Sequence, residues 1–131
     1  ERAPSIGQRT AERLNASGVR TVADLNSADP FALAAHLATR HITPETIADW
    51  QDQAQLVMTL AELRGTHAQL LVAAGYRTAA SIGDADPGIL SAGILKVATS
   101  PEGQRILRDG GAPELERIRS WIDAARQARA A

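Results

Sequence analysis

Apolar residues recur at spacings of three and four along most of this chain, and no run alternates apolar with polar residues over the length of a strand. Ile47, Trp50, Ala54 and Val57 form one stripe; Leu115, Ile118, Trp121, Ile122 and Ala125 form another. Such a stripe lies along one face of an α-helix, so both segments are predicted to be helical and to bury it. Asp29-Pro30, Thr43-Pro44, Asp86-Pro87 and Ser100-Pro101 mark helix starts. Each sets a capping oxygen before a proline at the first helical position, where an N–H has no partner in any case. They predict helices over about 30–39, 44–58 and 87–98 and one beginning at 101, while Pro113 predicts the start of the last. Gly18 and Gly75 close two shorter helices, about 8–17 and 66–74, because glycine takes the left-handed conformation that ends a helix. Thr21 with Asp24 predicts a capping box, and Thr78 with Ser81 a weaker one.

The pattern occurs twice. A shift of 57 positions superimposes residues 6–30 on 63–87 with ten identities, among them Gly18/Gly75, Arg20/Arg77, Thr21/Thr78 and Asp29-Pro30/Asp86-Pro87. A shift of 71 pairs Ile47, Trp50, Asp52 and Ala54 with Ile118, Trp121, Asp123 and Ala125. The chain therefore reads as a duplication, residues 1–58 and 59–131, the second copy carrying a 14-residue insertion before its tryptophan. The expected fold is all-α, about eight to ten helices in one compact domain with a shared core. The helix near 44–58 should belong to the first copy and lead into the second.

Composition narrows the function. A chain of 131 residues, 44% hydrophobic but only 3% aromatic, supports a small helical core. No apolar run is long enough to cross a bilayer and no signal-peptide pattern opens the chain, so a soluble, cytoplasmic protein is expected. The first residue is Glu1 rather than Met, which suggests a fragment or a processed form. There are no cysteines, hence no disulfide, thiolate nucleophile or cysteine-bound zinc. His36, His41 and His67 form no metal-binding pair, and the carboxylates are scattered among arginines, so neither a metal nor a cofactor is expected. No P-loop, dinucleotide fingerprint or nucleophile elbow occurs, which argues against an enzyme and leaves no small-molecule substrate in view. The net charge is −1, without the basic excess usual in proteins that neutralise phosphates. The positive charge is almost all arginine, Lys96 being the single lysine.

The segment Pro4-Ser5-Ile6-Gly7-Gln8-Arg9-Thr10-Ala11 resembles the hairpin of the helix-hairpin-helix family, with Ser5 in place of its first glycine. The continuation from Leu14 to Leu25 is similar to recombinase amino-terminal domains and to the carboxy-terminal domain of the RNA polymerase alpha subunit. Over nearly its whole length, both tryptophans included, the chain resembles a family of tandem helix-hairpin-helix proteins, domain of unknown function 4332. The resemblance implies two tandem helix-hairpin-helix-like units and phosphate contacts at the bends, where glycines let backbone amides approach an anion at a helix N-terminus. In copy one these residues would be Gly7 and Gln8, with Arg9 and Arg13 alongside. In copy two Arg64 falls opposite Gly7, Gly65 is displaced by one residue, and Glu62 would repel a phosphate; Arg64 and His67 leave room for a contact.

Each feature also has a structural reading. Gly7 and Gly65 satisfy tight turns, and Arg9 and Arg13, with Glu12 between them, suit a solvated face. Arg20 and Arg77 could hydrogen-bond the free carbonyls of the preceding helix. Trp50 and Trp121 belong in a core. Arg117, Arg119, Arg126 and Arg129 alternate with acids, as on a solvated helix. Two functions remain: a non-enzymatic module binding DNA phosphates without sequence specificity, or a protein-interaction scaffold whose hairpins have lost that role.

Overall fold

The computed structural model describes residues 6, 8–37, 42–60, 63–108 and 111–130. Two bends set its organisation. α1 (Gln8–Ala16) ends at Gly18, whose φ is 90°, and α5 (Gly65–Ala73) ends at Gly75, whose φ is 96°. In each, the amide three residues past the helix turns back onto it: Val19 N–H bonds the Leu14 carbonyl and Tyr76 N–H the Leu71 carbonyl, both at 2.8 Å. A side chain other than glycine's is strained at such φ values.

Thr21 then caps α2 (Val22–Ser27) and Thr78 caps α6 (Ala79–Gly83). Both bonds of the second capping box are present, as in the first, with serine in the place of aspartate. Ser81 Oγ accepts from the Thr78 amide at 3.2 Å and donates to the Thr78 carbonyl at 2.7 Å. A hydroxyl can donate as well as accept, so it closes the box without a carboxylate.

The proline-marked helices follow: α3 (Pro30–Leu37), α4 (Pro44–Thr59), α7 (Pro87–Ala98) and α8 (Pro101–Leu107). Thr43, Asp86 and Ser100 accept from the amide three residues on, and the Asp29 carboxylate accepts from the Phe31 amide. α9 (Leu115–Ala130) begins two residues after Pro113, and its first apolar residue, Leu115, is 41% exposed rather than buried. At the very start of a helix the stripe has not yet reached the core.

Together the described residues form a compact all-α domain of nine helices without a strand. Its interior is two hydrophobic clusters instead of one shared core. Leu14, Leu25, Leu33, Ile47 and Trp50 centre the first; Leu56, Leu60, Leu71, Leu90, Ile118 and Trp121 belong to the second. α4 serves both, giving Ile47, Trp50 and Ala54 to the first and Leu56 to the second. Both tryptophans are buried, as the stripes require.

Equivalent positions also make equivalent contacts between a short helix and a long one. Asn26 Nδ2 donates to Gln55 Oε1 at 3.1 Å between α2 and α4, and Arg126 Nε donates to the Gly83 carbonyl at 2.9 Å between α9 and α6. The two shifts align Asn26 with Gly83 and Gln55 with Arg126. Arg126 is thus tied to its neighbour and is not simply part of a solvated face; the side chain of Arg129 lies outside the described residues.

Candidate nucleic-acid interface

Gly7 lies outside the described residues. The residues after it open α1: Gln8 and Arg9 are exposed in a first turn without an acid, and Arg13 is exposed in the last turn. Glu12 is exposed between them and lines a cleft together with Gln8. In the second half Gly65 is the first residue of α5 and Arg64 its N-cap, with no side-chain cap bond and no acid in the first turn. Among the described residues the N-cap side chain leaves those first-turn amides uncapped.

His67, one turn in, packs its ring against Trp121 at a centroid distance of 4.9 Å. Burial, aided by the positive charges of Arg117 and Arg64, lowers its pKa, and its Nδ1 is buried without a hydrogen-bond partner. A neutral ring in the α5–α9 joint follows. Arg64 and Arg117 share an adjoining cleft of about 450 Å³ with Glu114 and Glu116, so charge there is mixed.

A different concavity lies beside α8. Ile6 ahead of α1, Thr66 and Gln69 from α5, Arg105 from α8 and Arg108 at its C-cap line a cleft of about 510 Å³ in which no carboxylate appears among the described lining. Two features press α8 into place. Gly103 is buried so tightly against the end of α7 that a Cβ would fall on the Val97 carbonyl, and Gln104 Nε2 donates to the Ala98 carbonyl at 2.9 Å. Arg108 then closes α8 at φ 56°, its N–H bonding the Gln104 carbonyl at 2.8 Å. Residues next to both expected bends therefore meet in one cleft, whereas Arg9 and Arg13 stand on α1 outside its described lining. Arg105 and Arg108 escaped the sequence reading. Their only signal was two arginines three apart in the inserted stretch; the positive-φ turn at Arg108 that ends the helix left no trace in the spacing.

A family model described as Domain of unknown function (DUF4332) matches residues 2–128. The chain belongs to this family. The match runs through both halves of the DUF4332 domain, so α8 and its arginines are part of the family unit rather than an appendage. No curated protein and no solved structure matches the chain.

The equivalent arginines of the domain part company. Arg77 bridges Asp49 and Asp52 of α4, each at 2.6 Å, and these partners outweigh burial in raising its pKa. It does not bond the carbonyls of the preceding helix, because a long guanidinium reaches the carboxylates of the helix alongside. Arg20 is exposed; its backbone amide, rather than its side chain, bonds Asp24 at 3.1 Å. Among the described residues no group of three His, Asp or Glu side chains is placed to hold a metal, and no helix is long and apolar enough to cross a membrane.

Proposed function

We propose that this DUF4332 domain is a non-enzymatic nucleic-acid-binding module that holds the phosphate backbone without reading bases. The observation that carries the reading is the cleft lined by Arg105, Arg108 and Ile6, with no carboxylate among its described lining. Guanidinium groups make paired, charge-assisted bonds to phosphate oxygens. The uncapped first turn of α5 adds amide donors at the positive end of a helix dipole. Gln8, Arg9 and Arg13 extend the positive surface from α1, and Arg64 with Gly65 from α5.

On this reading α1–α2 and α5–α6 are two helix-hairpin-helix-like units, related to those of recombinases and the polymerase alpha subunit. The net charge of −1 fits a local patch better than a wholly basic surface. A protein-binding role is the second reading, favoured by the exposure of Phe31 at 70% and Ile89 at 68%. The two are separated by titrating fluorescent duplex and single-stranded DNA at low and moderate salt. Phosphate contact gives affinity that falls linearly in log–log form with salt, by a slope of roughly 0.9 per contact on duplex. Arg105→Gln with Arg108→Gln should lower that slope by about two, and Arg9→Ala with Arg13→Ala should lower it further. Absence of binding at low salt would transfer the assignment to a protein partner.

A further inference from the structure

The second half makes a contact whose counterpart in the first half no described helix fills. α4 lies along α5 and the turn after it: Arg77 reaches Asp49 and Asp52, and Leu56 is buried in the same cluster as Leu71 and Val72. At the repeat-equivalent place in the first half there is a cleft of about 340 Å³ between α1 and α2, floored by Ala11, Leu14 and Leu25 and rimmed by Glu12 and Arg20.

By the same alignment α9 is the counterpart of α4. Its inner stripe is used in its own half, against α6 and α7. Its outer positions Ser120, Asp123 and Gln127 correspond to Asp49, Asp52 and Leu56. Asp123 thus stands where Asp52 stands, Arg20 where Arg77 stands, and both are exposed. No ion pair joins them within the chain among the described residues. A second pair of positions has changed together. Gln69 shares a cleft with Asp49, whereas its counterpart Glu12 would meet Ser120, so no two carboxylates confront each other.

We infer that α9 of one copy docks into the α1–α2 cleft of a second copy, head to tail, with Asp123 against Arg20. Such a contact uses different surfaces on the two partners, so it builds a ring if the rotation closes and an open chain if it does not. Gln127 in place of Leu56 makes the joint more polar than its internal template, and self-association is correspondingly weak and concentration-dependent.

Sedimentation velocity of the 131-residue chain over a concentration series tests this. The mean mass should rise above the monomer with concentration. Arg20→Glu and Asp123→Arg should each weaken association about tenfold by setting like charges face to face. An equimolar mixture of the two variants should recover wild-type association, since each altered surface then meets an opposite charge. If either reversal fails to fold, Arg20→Gln and Asp123→Asn give the same reading with smaller shifts. A wild-type chain that stays monomeric throughout, association that survives both reversals, or a mixture that recovers nothing would each overturn the proposal.

Discussion

α1 and α5 open the two halves with matching residues at Ala11/Ala68, Leu14/Leu71 and Ala16/Ala73, and both end in the same glycine bend. Their surroundings differ. α5 is held between α4 on one side and α7 and α8 on the other, and buries Ala68, Leu70, Leu71 and Val72. α1 buries only Leu14, and at the positions of Leu70 and Val72 it carries exposed Arg13 and Asn15. A bend and a cap are local devices that form wherever their few residues stand. Burial depends on which helices arrive alongside: α5 meets α4, α7 and α8, whereas α1 turns only Leu14 into a core and leaves its other face polar.

The comparison can be broken most sharply in the core. Leu71→Ala should cost about 4 kcal/mol and Leu14→Ala about 2 kcal/mol, since a sealed site relaxes less around the lost methyl groups than one beside an open cleft. Denaturant midpoints at constant slope check the difference. Gly103→Ala should cost about 2–3 kcal/mol by the same measurement, because the added methyl must push α8 off the Val97 carbonyl. DNA affinity should fall with it, as Arg105 and Arg108 move with the helix. Arg77→Ala should cost about 1 kcal/mol, the ion pairs being partly exposed, and Arg20→Ala close to nothing in the monomer.

Acid sharpens the contrast with smaller effects. His67 is harder to protonate folded than unfolded, so below its ordinary value of 6.5 the unfolded chain takes up the proton and stability falls as pH drops. His67→Gln should flatten that region of a pH–melting profile. At lower pH the halves should diverge. Asp24 has its pKa lowered, first by its bond from the Arg20 amide, so its cap holds above 3.8 and fails as pH falls through the lowered value. Ser81 cannot titrate and holds its cap throughout. Asp24→Ser should remove the difference.

What the sequence disclosed was largely local. Proline-led starts placed α4 and α7 almost to the residue, and the paired glycines placed both bends, because each signal acts within one turn of chain. Tertiary choices were hidden. Nothing in the spacing of Arg77 told that its partners were carboxylates 25 and 28 residues upstream. Nor did a stripe shared along α4 reveal that the core divides in two. The arginine cleft was missed for the same reason: the fold, not the spacing, brings Arg105 and Arg108 beside Ile6 and α5, and the glycine that seats α8 looks ordinary in the sequence.

Native-state hydrogen exchange at Leu14 and Leu71 tests the central contrast most directly. Leu71 N–H should exchange only through global unfolding, while Leu14 N–H exchanges faster through opening of α1 alone. Equal protection at the two amides would contradict it, for then the first half would be as tightly sealed as the second.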